Sequence, residues 1–136
     1  MGRIISLDYG VKRTGIAVTD SLQLIASGLK TVETSALLQF LKNYCKTETV
    51  DVIVVGLPKQ MNNQLSESEA LIKPFVKILK SSFPLICIER EDERFTSKMA
   101  LQSMIDAGCT KKQRRNKATI DQISATLILQ SYLNRK

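Results

Sequence analysis

Carboxylates gather at three places in this sequence: Asp8, the run EREDER over residues 89–94, and Asp121. Asp8 closes the apolar run IISLD, just ahead of Gly10 and the cations Lys12 and Arg13. A charge at the end of a buried strand is costly to desolvate unless it is paired or metal-bound. EREDER offers Glu89, Glu91, Asp92 and Glu93. Asp121 shares a helical face with Ala125 and Ile128, so its carboxylate lies on an apolar side. Each place has an ordinary structural alternative. Asp8 suits a turn, and EREDER suits a solvated, self-paired run. Asp121 suits the first turn of a helix, where the dipole favours it by about 0.3–1 kcal/mol.

Taken together, the three point to one chemistry. Convergent carboxylates repel and raise one another's pKa unless a cation joins them. Mg²⁺ or Mn²⁺ suits all-oxygen donors, and a pair of such ions about 3.5–4 Å apart hydrolyses phosphodiesters. The sequence contains no histidine. This excludes Ser–His and Cys–His nucleophiles and HExxH zinc sites, but not carboxylate–metal catalysis.

The charge balance agrees. Twenty Lys and Arg against thirteen Asp and Glu give a net charge of +7, which favours a polyanionic partner, nucleic acid before membrane. No apolar run reaches the roughly 20 residues that span a bilayer, and no signal peptide is evident. Cys45, Cys87 and Cys109 are odd in number and widely spaced, which fits a reduced, cytoplasmic setting rather than a disulfide framework. The segment KKQRRNK places Lys111, Lys112, Arg114, Arg115 and Lys117 immediately before the Asp121 helix. With Lys12, Arg13, Lys59 and Arg94, these are the candidate phosphate contacts.

The elements that must position these groups follow from hydrophobic period. Residues 3–9, 14–20 and 22–32 read as three strands of an antiparallel meander. Leu37, Leu38, Leu41 and Tyr44 recur at helical spacing, with Thr34 or Ser35 as N-cap. Residues 50–58 are a continuous apolar run, as in a strand buried on both faces. After a polar loop over 57–66, Ser66 and Glu69 form a capping box for a helix burying Leu71, Ile72, Phe75, Val76 and Leu79, kinked at Pro74. A strand over 83–90, a helix over 95–108, a basic loop over 109–117 and a helix over 118–133 complete the chain. The pattern predicts one α/β domain with a five-stranded mixed sheet flanked by helices.

Four segments, LDYGVKRTGIAV, VVGLP, DERFTS and IDQISATLIL, occur in this order across the whole chain and resemble the YqgF family. That family comprises RuvX-like, Holliday-junction-resolvase-like proteins with an RNase H-like fold, also described as pre-16S rRNA nucleases. The resemblance implies a single RNase H-like domain over residues 1–136, and a catalytic, metal-binding set of Asp8, Glu93 and Asp121. The residues alone leave Glu93, Asp92 and Glu91 open, because strand alternation reaches Glu93 only if the strand persists that far. It further implies two Mg²⁺ or Mn²⁺ ions bound with substrate, and pre-rRNA as the substrate with a four-way DNA junction as the alternative. We expect a monomer or weak homodimer. The sequence departs from the family pattern at Lys59 and Pro74. A non-catalytic nucleic-acid-binding module would differ by loss of an acidic position, and none is lost. An actin-like ATPase, which also uses an Asp–x–Gly hairpin, needs a second such domain that a chain of this length lacks.

Overall fold

The computed structural model describes residues 2–57, 69–92 and 117–135, with side chains omitted at 92, 117–119 and 135. Five strands form one sheet: β1 (Arg3–Tyr9), β2 (Arg13–Thr19), β3 (Ala26–Glu33), β4 (Val50–Leu57) and β5 (Cys87–Asp92). Three helices are described with them: α1 (Leu37–Thr47), α2 (Glu69–Ser82) and α3 (Lys117–Arg135). The strand order is β3-β2-β1-β4-β5. β1, β2 and β3 pair antiparallel, whereas β4 runs parallel to both β1 and β5. This is the mixed α/β sheet that the sequence predicts.

Alternation along the strands sends side chains to two helical layers. Ile5, Leu7, Ile16, Val18, Ile53 and Val55 join Leu37 and Leu41 of α1 and Ile72, Phe75, Val76 and Leu79 of α2. Ile4, Ala17 and Val54 point the other way and meet Ala125, Ile128, Leu129 and Tyr132 of α3. Burial on both faces explains why β1 and β4 read as unbroken apolar runs.

Several expectations need correction. The third strand begins at Ala26 rather than residue 22, because Asp20 accepts bonds from the Leu24 and Ile25 amides and folds residues 20–25 into a turn. Those bonds, from Ile25 first, hold the Asp20 carboxyl below its ordinary value. The fifth strand begins at Cys87 rather than residue 83, since Phe83 and Ile86 close a turn through their own backbone. A 3₁₀ turn over Thr34–Ala36 precedes α1, whose N-cap is Ala36 with no side-chain cap. The Thr34 hydroxyl donates instead to the Gly10 carbonyl at 2.6 Å. Leu71 is exposed, not buried. Asp121 is the fifth residue of α3, one residue further in than expected and just past the first turn. Ser66 lies outside the described residues, as does the 95–108 helix, and Glu69 spends its carboxylate on Arg90 rather than on a cap.

Candidate active site

The carboxyl ends of β1 and β4, and the start of β2, meet at one edge of the face that α3 covers. On β1, Leu7 points into the α1/α2 layer, while Ser6 donates its hydroxyl to the Ala125 carbonyl of α3 at 2.5 Å. Alternation therefore puts Asp8, with Ser6, on the α3 face. Asp8 is half-buried and lies directly opposite Gly15 of β2.

Gly15 is where α3 touches down. A Cβ built there would lie 2.0 Å from the Asp121 carbonyl oxygen and 2.9 Å from the Asp121 Cβ. Only glycine admits the helix this closely. Gly15 therefore serves helix–strand packing. Asp121 is thus seated on the cross-strand neighbour of Asp8, and the two carboxylates share one corner of the sheet. The Asp121 Oδ2 accepts a hydrogen bond from Arg13 Nε at 3.0 Å. Both side chains are partly exposed, so the pair contributes little to stability. Its interest is electrostatic: a cation already sits against this carboxylate. Lys12, beside it, is exposed.

The third acidic place is the end of β5. The register Gly56↔Glu91 and Leu57↔Asp92 carries the strand through Asp92. Because Leu7 is level with Val55 on the neighbouring β4, Gly56 and Glu91 continue the row in which Asp8 stands. Gly56 leaves that row without a side chain between the two carboxylates. Glu91 is buried, and its Oε2 accepts the Ser131 hydroxyl of α3 at 2.5 Å. Glu89 accepts the Cys87 thiol at 3.2 Å, which raises the thiol's pKa. Glu93 and Arg94 lie outside the described residues, as do Lys59, Lys111, Lys112, Arg114 and Arg115. Lys117 belongs to the first turn of α3 rather than to the preceding loop.

Two contacts at this edge were not foreseen from the sequence. Arg90 reaches to the other face, donating from Nη1 and Nη2 to the Glu69 carboxylate at 2.9 and 2.6 Å. It also donates to the Val55 and Gly56 carbonyls at 3.1 and 2.9 Å, fixing the end of β4. The Ser131–Glu91 bond ties β5 to α3. Arg90 inside an acidic run looks like a self-pairing cation, so only the strand's alternation could have separated it from its neighbours.

Asp8 and Asp121 supply oxygen donors only, as a hard divalent cation prefers. Among the described residues, no group of three Asp, Glu, Cys or His forms that could hold a metal ion.

The chain matches the RuvX family, described as Holliday junction resolvase, over residues 2–135. A protein of Bacteroides fragilis is 57% identical over 136 residues, covering 100% of this chain and 99% of the relative. One from Flavobacterium psychrophilum is 55% identical over the same coverage. One from Porphyromonas gingivalis is 52% identical over 98% of this chain and 97% of its own length. All three carry the name "Putative pre-16S rRNA nuclease". With full-length matches of this kind and a sheet of the expected order, this chain belongs to the RuvX family.

Proposed function

We propose that this chain is a metal-dependent nuclease that hydrolyses phosphodiester bonds in structured nucleic acid, acting in the cytoplasm on precursor 16S rRNA. The carrying observation is the seating of Asp121 on Gly15, beside Asp8. Two carboxylates with no histidine in the chain, on a protein of net charge +7, suit a phosphate-bearing substrate. The names of the relatives supply the RNA.

In this reading Asp8, Asp121 and Glu93 would hold Mg²⁺ or Mn²⁺, which when bound would supply an activated water and charge stabilisation at the leaving oxygen. The family resemblance supplies Glu93 as the third member; its rival Glu91 already accepts the Ser131 hydroxyl. Arg13 neutralises Asp121 in the resting protein. Its guanidinium is free to turn to a substrate phosphate once other positive charge reaches that carboxylate. Lys12 is exposed beside it. Lys59, Arg94, Lys111, Lys112, Arg114, Arg115 and Lys117 remain the other candidate phosphate contacts.

A four-way DNA junction is the second reading, favoured by the description of the family itself. Backbone phosphates are shared by both substrates and do not choose between them. The test pairs a transcript carrying the 5′ end of precursor 16S rRNA with a four-way DNA junction, each with and without Mg²⁺. The wild type is expected to cut the RNA only with metal, and Asp8→Asn to reduce cutting to background while keeping the wild-type fold by circular dichroism. Equal cutting by wild type and variant would overturn the proposal. Cutting of the junction alone would transfer it to DNA.

A further inference from the structure

We infer that the outer surface of α1 and α2, on the opposite side of the sheet from Asp8 and Asp121, is a second nucleic-acid contact that grips the phosphate backbone of a folded RNA away from the cleavage point. The inference rests on the RNA reading above for its ligand, but on separate residues. Lys42 and Lys46 of α1 and Lys73, Lys77 and Lys80 of α2 are all exposed. Within each helix they fall three or four residues apart, so each set forms one row. Neither helix presents a carboxylate to solvent. α1 has none, and the one on α2, Glu69, is buried and held by Arg90. None of the five lysines is in an ion pair with a described residue.

That arrangement opposes local stability. Like charges three or four residues apart destabilise a helix, and alternating Glu–Lys rows relieve them. Among the described residues no carboxylate relieves them, although the chain has thirteen acidic residues to distribute. A polyanion does what those residues do not. Lys73 to Lys80 spans about 10 Å of helix, enough to follow a run of neighbouring phosphates. The exposed Leu71 and Ile78 fall on the other flank of α2 and leave the lysine row uninterrupted.

Position determines which nucleic acid can be gripped. Both helices pack on the α1/α2 layer, so the sheet separates the lysines from the cleft. A short strand lying in the cleft cannot touch them. A large folded RNA, with one segment in the cleft and another helix passing behind the sheet, can touch both. The surface therefore selects for a bulky, structured substrate.

The experiment measures binding, with cleavage switched off by Asp8→Asn in every protein. Binding of a precursor 16S 5′-end transcript and of a twelve-nucleotide single strand is followed across a salt series. The background is compared with Lys73→Ala/Lys77→Ala/Lys80→Ala, and with the corresponding Lys→Gln triple in case alanine perturbs the helix. For the long transcript the slope of log K against log salt is expected to become shallower by about two to three units, since each lost phosphate contact removes about 0.7–0.9. For the twelve-mer it is expected to stay the same. Unchanged slopes for the long transcript in both triples would overturn the inference. So would equal flattening for the two RNAs, which would make the lysines part of one diffuse field. Loss restricted to binding of anionic phospholipid vesicles, run in parallel, would reassign the surface to a membrane. Failure of the wild type to cut any RNA would defeat the nuclease reading and still leave this slope measurable.

Discussion

The two faces of the sheet are built on different terms. The α1/α2 face is a closed apolar layer in which Ile5, Leu7, Ile16, Leu37, Leu41, Ile53 and Leu79 are completely buried. The α3 face also has an apolar middle, at Ile4, Ala17, Val54, Ile128 and Leu129, but polar groups surround it. Ser6, Asp8, Glu91, Asp121, Ser124 and Ser131 all lie along it. One layer is optimised for packing. The other gives up part of its apolar contact to polar groups, three carboxylates among them.

Emptying the apolar layer gives the largest expected effect. Leu79→Ala removes a fully buried side chain from the α2 contact and should destabilise the fold by about 2–5 kcal/mol in a denaturant titration. Cleavage per folded molecule should stay at the wild-type rate. A comparable loss of rate would mean that the two faces are not separable.

The converse change strikes the α3 face. Gly15→Ala drives a methyl into the Asp121 backbone, and overpacking of this kind costs about 1–3 kcal/mol. Here the loss of cleavage should far exceed what the unfolded fraction accounts for, because the carboxylate of Asp121 is pushed away from Asp8. Metal-dependent rate and thermal melting, measured on the same sample, read both quantities. Full activity in a destabilised variant would show that the corner tolerates displacement of the helix.

The smallest effect has the opposite sign. The Ser124 hydroxyl is buried on the α3 face with no hydrogen-bond partner among the described residues. Ser124→Ala removes that unsatisfied group, and is expected to leave stability unchanged or raise it by up to about 1 kcal/mol, with cleavage retained. Marked destabilisation in the same melt would show that the hydroxyl is satisfied within the folded protein.

The difference between the faces also governs what the sequence discloses. β1, β2 and β4 are legible within a residue or so because their apolar runs end abruptly at Asp8, Thr19 and Gly56–Pro58. β3 and β5 are misjudged by four residues at their starts. Leu22, Leu24 and Ile25 are apolar yet exposed in a turn held by Asp20, and Phe83 and Ile86 pack without strand pairing. Hydrophobic pattern reports burial, not hydrogen bonding, so it cannot place those boundaries. Thr34 is a good N-cap residue that spends its hydroxyl on Gly10, a tertiary choice invisible to local rules. On the site, Asp8 and Asp121 stand out as charges at the margins of apolar segments. The acidic run resists, since choosing within it requires knowing how far β5 extends and which members Ser131 and Glu69 already engage.

The Ser6–Ala125 hydrogen bond joins residues 119 positions apart. During synthesis, β1 to β4 emerge first and can assemble against α1, but the opposite side of the sheet waits for residues 117–135. Until that helix is made, Ile4, Ala17 and Val54 lack the α3 side chains that pack on them, and Asp8 has no Asp121 beside it. An unfinished chain therefore offers chaperones and proteases an apolar surface to recognise, and leaves the proposed site without one of its carboxylates. α3 acts as a completion signal: the order of translation delays the meeting of Asp8 and Asp121 until the rest of the sheet has been made.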